Sequence, residues 1–219
     1  MSATIGNVGQ RGFDANHVIS REDADAFVAH GYTFALRYIR RAQAASNDLS
    51  AGEVADLHAA GLAVGIVQHF GPREGWIPTD GLGAQYGTTA AIACEALNVP
   101  PGVTVWLDLE GIAEGTDAEQ IIRYCNDWYA AVANKGFQPG VYVGDANGLT
   151  PDQLYSLRFR RYFAAYNLNL DQYPATCGVC MRQHAATAAD KPAGIPYEID
   201  TDTIVGDQLG RFPTLWSGV

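Results

Sequence analysis

Val103-Thr104-Val105-Trp106-Leu107-Asp108-Leu109-Glu110-Gly111 reads as one β-strand, and its reading decides the fold. Side chains alternate along a strand, so Val103, Val105, Leu107 and Leu109 share one face and Thr104, Trp106, Asp108 and Glu110 the other. The first face is aliphatic throughout and belongs in a core. The second ends in two carboxylates on the same side, with their backbones about 7 Å apart. Acids paired at the end of a buried strand are costly unless something uses them.

On either side of this strand the chain alternates between strand and helix. Upstream, Gly12-Phe13-Asp14-Ala15-Asn16 is a short strand ending in an acid. Ser20 then caps a helix with Asp23 at the third helical position, and the helix stops before Gly31. Thr33 to Ile39 is a second strand; Ser50 with Glu53 forms a capping box for a helix ending at Gly61; Leu62 to Phe70 is a third strand. A loop with Gly71, Pro72, Gly75, Trp76 and Pro78 leads into a helix of small residues, roughly Gly83 to Leu97. Downstream, Thr116 with Glu119 is another capping box, and its helix buries Ile121, Cys125, Trp128, Tyr129 and Val132 at a spacing of three and four. Gly140 to Val143 is the fifth strand, and Thr150-Pro151-Asp152-Gln153 opens a short helix.

The rhythm then changes. Arg161 to Tyr166, Cys180 to His184 and Tyr197 to Asp202 are three more strands. Loop-like segments join them, with Asn167, Asn169, Pro174 and Gly178 in one and Asp190, Pro192, Gly194 and Pro196 in the other. Five β-α units and three strands make eight, the number that closes a barrel. The expected fold is α/β: an irregular TIM-type barrel of five β-α units followed by three strands with few helices. An open doubly wound sheet is the runner-up. It calls for a glycine-rich phosphate loop after the first strand, whereas Gly6-Asn7-Val8-Gly9 precedes that strand.

The 219 residues suit a single domain over 1–219 with a core of about 11–208. A hydrophobic content of 47% and charged content of 17% are those of a globular protein. The net charge of −10 counts against a nucleic-acid partner, which needs a basic face. No apolar run approaches the ~20 residues of a membrane helix, and Met1 to Gly6 lacks the basic and apolar regions of a signal peptide. Cys94 and Cys125 fall on apolar helix faces and read as buried thiols, with a bridge between their helices the alternative. Cys177-Gly178-Val179-Cys180 reads as a local disulfide or loop cysteines ahead of a metal or redox site, because no second CxxC accompanies it.

In such barrels chemistry sits at the C-terminal strand ends. In chain order those ends carry Asp14; Arg37 and Tyr38; His69; Asp108 and Glu110; Tyr142; Tyr166 and Asn167; Gln183 and His184; and Asp200 and Asp202. Several acids with few bases nearby raise at least one pKa, since like charges resist joint ionisation and burial disfavours the charged form. A protonated acid beside an ionised carboxylate is the pairing that glycoside hydrolysis needs. Tyr38, Trp76, Tyr142 and Tyr166 could stack on sugars, or simply pack. A divalent metal on Asp14, His69, Asp108, Glu110, His184 and Asp200 is the competing use, unsupported by an H-E-x-x-H spacing, and no G-x-S-x-G elbow offers a serine nucleophile.

The chain resembles the family 25 glycoside hydrolases, the Chalaropsis-type lysozymes that act as N-acetylmuramidases, and more closely the related glycoside-hydrolase-like bacterial domains. Gly12-Phe13-Asp14, Phe34-Ala35-Leu36-Arg37-Tyr38, Trp106-Leu107-Asp108-Leu109-Glu110, Gly140-Val141-Tyr142, Tyr162-Phe163-Ala164-Ala165-Tyr166, Arg182-Gln183-His184 and Ile199-Asp200-Thr201-Asp202 carry the likeness in order. It implies a barrel of five β-α units and three strands. It also implies Glu110 as general acid, Asp108 as the carboxylate two residues before it, and Asp14 and Asp200 as the other rim acids. His184 stands where the lysozymes usually have an aromatic, and Asp202 where they usually have asparagine.

The expected function is therefore a glycosidase that cleaves peptidoglycan glycan strands and needs no cofactor or metal. Glu110, Asp108, Asp14 and Asp200 are its catalytic residues. Arg37, Tyr38, His69, Tyr142, Tyr166, Gln183, His184 and Asp202 are its substrate contacts. A barrel that binds glycans or cleaves another polysaccharide is the alternative. Such an enzyme would act on the cell wall, in the periplasm or outside, reach it by a leaderless route or by lysis, and have a secretion apparatus or a cognate inhibitor protein as further partners.

Overall fold

The computed structural model describes residues 1–69, 71, 74–168 and 178–218. Phe70, Pro72, Asn169, Pro174 and Cys177, read above as parts of a strand, of loops and of a cysteine pair, lie outside the described residues. The chain runs β1 (Ser2–Ile5), β2 (Arg11–Asp14), α1 (Arg21–Ala29), β3 (Phe34–Ile39), α2 (Ala51–Ala60), β4 (Ala63–Gln68), α3 (Leu82–Ala96) and β5 (Thr104–Leu109). It continues through α4 (Ala118–Ala133), β6 (Gln138–Val143), α5 (Pro151–Ser156), β7 (Tyr162–Ala164), β8 (Met181–Ala185), β9 (Asp200–Ile204) and β10 (Thr214–Ser217).

Strands β2 to β9 close into the expected barrel. β2 through β8 pair in parallel, each with the next, and β9 closes the ring between β8 and β2. Closure rules out the open sheet. β9 departs from the simple eight-strand reading: it starts three residues later than Tyr197 and runs antiparallel to both neighbours. β1 and β10 were not anticipated. They pair antiparallel with each other, and β10 lies on β4 through Trp216 and Val64. β1 is exposed along its whole length, so it carries no burial pattern for a sequence to reveal.

The strand alternation sorts two cores. Inside the barrel lie Phe34, Leu36, Val67, Trp106, Phe163, Met181, Ile204 and Leu215. Val103, Val105, Leu107 and Leu109 face outward into a second core with the helices. α3 reaches that core because it is made of small residues: a Cβ at Gly87 would come within 2.7 Å of the Trp128 carbonyl oxygen on α4, and one at Gly83 would overlap the backbone of Tyr124. On α4 it is Tyr124 that is fully covered, whereas Tyr129 is only half-buried. Cys94 and Cys125 are free, buried thiols; burial lifts Cys94 to about 12 and raises Cys125 as well, which keeps both unreactive.

Helix starts follow their caps with two corrections. Asp117, not Thr116, caps α4 by accepting from the Glu119 amide at 3.1 Å. Ser50 caps α2, but Glu53 does not return the bond. Its carboxylate instead accepts from the Ile19 amide at 2.9 Å and from Arg37 Nε at 2.5 Å. Arg37 points out of the barrel on β3 and is fully buried; it also donates to the carbonyls of Ala15 and of Asn47. This ion pair ties the segment after Asp14 to β3 and α2.

Candidate active site

An open cleft of about 230 Å³ lies at the ends of β2 to β8 and the beginning of β9. Leu36, Val67 and Phe163 form its apolar part, and Asp14, Asp108, Glu110 and Asp200 all line it, with Tyr38, Tyr142, Tyr166, Asn167 and Gln183. The antiparallel course of β9 explains how Asp200 gets there. It opens its strand opposite Asp14, which ends β2, so both acids reach one rim.

Asp14 is held from two sides. Tyr38 donates its hydroxyl to Oδ1 at 3.0 Å and Gln183 donates Nε2 to Oδ2 at 2.9 Å. Gln183 is in turn oriented by the Tyr142 hydroxyl, which donates to Oε1 at 2.9 Å. Burial raises the Asp14 carboxyl to about 6; the Gln183 bond opposes this, the Asp200 charge adds to it, and the Tyr38 bond opposes it again. Asp108 is buried on the same strand face as Glu110.

Glu110 follows the last residue of β5 and is half-buried. Its carboxyl lies over Gly144, where a Cβ would overlap it, and its backbone carbonyl accepts from Trp76 Nε1 at 2.9 Å. Burial raises its pKa to about 7, helped by the charges of Glu74, Asp14 and Asp145. Glu74, Asp145 and Gly144 escaped the sequence reading. They lie in loops after the strands, and only their spatial approach to Glu110 marks them.

Four expected substrate contacts are placed elsewhere. Arg37 is the buried clamp described above. His184 is exposed on the outer face of β8, the alternate of inward Gln183. His69 stacks on Tyr38 with centroids 4.9 Å apart, has Nε2 3.3 Å from Asp48, and buttresses Tyr38 without lining the cleft. Asp202 sits two residues below Asp200, in register with Gly12 and Gln183 inside the barrel. It is fully buried, and neither of its oxygens has a hydrogen-bond partner among the described residues. Burial, then the Asp14 and Asp200 charges, drive its pKa well above the carboxylate range, so it is a neutral acid beneath the cleft. Trp76, considered as a sugar platform, is buried edge-on to Tyr124, whereas Tyr166 is 56% exposed at the cleft. Among the described residues, no group of three or more His, Cys, Asp and Glu is disposed to hold a metal ion.

A sequence profile of the Rv2525c-like, glycoside hydrolase-like domain matches residues 25–195. The chain belongs to this family. Among solved structures, the Mycobacterium tuberculosis Tat-secreted protein Rv2525c in complex with L-tartrate superposes with a TM-score of 0.68 at 18% identity, over 96% of this chain and 100% of that one. A bacterial lysozyme from Streptomyces coelicolor gives 0.60 at 15% identity, over 92% and 94%. A muramidase from Trichobolus zukalii gives 0.58 at 15% identity, over 90% and 94%. At these identities the likeness is one of fold: an Rv2525c-like domain built on the lysozyme-type barrel. No curated protein sequence matches the chain.

Proposed function

We propose that this glycoside hydrolase-like domain cleaves the glycan strands of peptidoglycan by carboxylate acid catalysis. The observation that carries the reading is Glu110: a half-buried carboxyl lifted to about 7, on the same strand face as buried Asp108, in an open cleft. Glu110 gives its proton to the glycosidic oxygen as the C–O bond breaks. Asp108, or a substrate acetamido group that it orients, stabilises the positive charge left on the anomeric carbon, and water completes hydrolysis. Asp14, fixed by Tyr38 and Gln183, and Asp200 hold the sugar, while Tyr166 offers an exposed ring beside it. The lysozyme and muramidase structures of the same fold support a polysaccharide substrate, and the secreted relative supports action at the cell wall. No helix among the described residues is long and apolar enough to cross a membrane.

Mass spectrometry of purified peptidoglycan after digestion tests the reading. New reducing ends on muramic acid are expected. Intact glycan strands at high enzyme concentration would overturn it, and saturable oligosaccharide binding in the same samples would then make the cleft a recognition site.

The acid role also fixes a pH dependence. Glu110 must be protonated, so activity is present below its pKa and is lost as pH rises through about 7. Glu74→Gln removes a like charge and lowers that pKa. The alkaline limb of kcat/KM should move to lower pH by about 0.5 unit at low salt and return towards wild type at high salt. An unmoved limb argues against Glu110 as the titrating acid.

A further inference from the structure

A second depression, of about 440 Å³, lies at the opposite end of the barrel, between the segment entering β7 and the loop after β9. Tyr155, Arg158, Arg160, Tyr162, Leu209 and Arg211 are among its lining residues. Three arginines around one hollow are unexpected in a chain with a net charge of −10. From Leu157 to Arg160 buried and exposed residues alternate, so Arg158 and Arg160 face solvent together, about 7 Å apart along the backbone. Both are positioned by neutral groups. The Arg158 guanidinium lies 4.9 Å over the Tyr129 ring, and Arg160 Nη1 donates to the carbonyls of Phe159 at 3.0 Å and Leu157 at 3.3 Å. Among the described residues neither has a carboxylate at ion-pair distance, unlike Arg11, Arg21, Arg37, Arg123 and Lys135. Arg211 is held by Asp207 at 2.7 Å. Arg158 and Arg160 are thus positioned without a carboxylate partner among the described residues.

We propose that this hollow binds a polymer of phosphodiester-linked polyol units, with Arg158 and Arg160 gripping successive charges on one wall and the Asp207-paired Arg211 on the other. A phosphodiester is ionised at every physiological pH and offers tetrahedrally placed oxygens to forks from two sides, whereas a carboxylate fills a single fork. Leu209, 60% exposed, and Tyr155, 38% exposed, supply apolar surface for the uncharged linkers between phosphates. The site lies away from the cleft and does not depend on the glycosidase reading, since binding is read without turnover.

Isothermal titration of the full chain with poly(glycerol phosphate) tests it. Saturable binding is expected, weakening at least about tenfold in Arg158→Gln/Arg160→Gln and falling as salt rises. Arg123→Gln/Lys135→Gln, which removes two cations already paired with acids, should leave affinity unchanged. Thermal melting checks that each variant folds, and Arg158→Gln alone, which keeps the Arg160 bonds, should give an intermediate loss. No saturable binding, unchanged affinity in the double variant, or orthophosphate or duplex DNA bound as tightly as the polymer would each overturn the proposal.

Discussion

Glu110→Gln is expected to lower kcat on peptidoglycan by about a thousandfold while KM stays within about threefold of wild type. The amide has the shape and neutrality of the protonated acid, so it can occupy the same place over Gly144 and still donate a hydrogen bond to the glycosidic oxygen. What it cannot do is release a proton to the departing oxygen. The loss therefore falls on the transition state and spares ground-state binding. The residual rate should also lose the alkaline limb near pH 7, because no group at that position titrates any longer. Asp108→Asn should reduce kcat by a similar order without removing that limb, since it takes away charge stabilisation and leaves the acid in place. Reducing-end release by the purified variants, followed across pH, is the measurement. A Glu110→Gln protein that keeps more than about a tenth of wild-type kcat assigns proton donation to another group.

Glu53→Gln is expected to destabilise the fold by about 3–5 kcal/mol, because it leaves the fully buried Arg37 guanidinium facing a neutral partner. For a chain of this length that corresponds to a fall in Tm of roughly 10 °C. Arg37→Met alone should cost a similar amount for the converse reason, a buried carboxylate without its cation. The double variant Arg37→Met/Glu53→Leu should recover part of the loss, since it removes both charges but leaves the Ile19 amide and the Ala15 and Asn47 carbonyls without these side-chain partners. Urea unfolding of the three variants decides the matter. Equal additive losses would mean that the two residues act separately. Because Arg37 also bonds the carbonyl of Ala15, next to Asp14, the single variants should lose activity at temperatures where they remain folded.

Much of the barrel was legible because its signals are local. Alternation in Val103–Gly111 separated the helix-packed face from the interior one, and the structure sorts Leu107 and Trp106 accordingly. Ser20, Ser50 and Thr150 announced their helices through side-chain caps that span three residues. Asp14, Asp108 and Glu110, three of the acids that meet in the cleft, were readable as strand ends, because every strand from β2 to β8 points the same way.

The misplaced rim residues have two causes: strand direction is settled by partners distant in sequence, and alternation lets only one of two adjacent strand residues face inward. β9 runs antiparallel, so Asp200 arrives at the rim from the start of its strand and Asp202 goes down into the barrel. A strand's direction leaves no trace in its own residues. Arg37 next to Tyr38, and His184 next to Gln183, looked like rim residues by position, yet adjacent strand residues face opposite ways and only one of each pair turns inward. For Glu110 and Asp108, then, the sequence alone determined that two acids share one face at the end of a buried strand. Tertiary structure decided what differs between them, by bringing Glu74, Asp14 and Asp145 up to Glu110 from three other segments, and a pKa depends on the charges and solvent around a group, not on its neighbours in the chain.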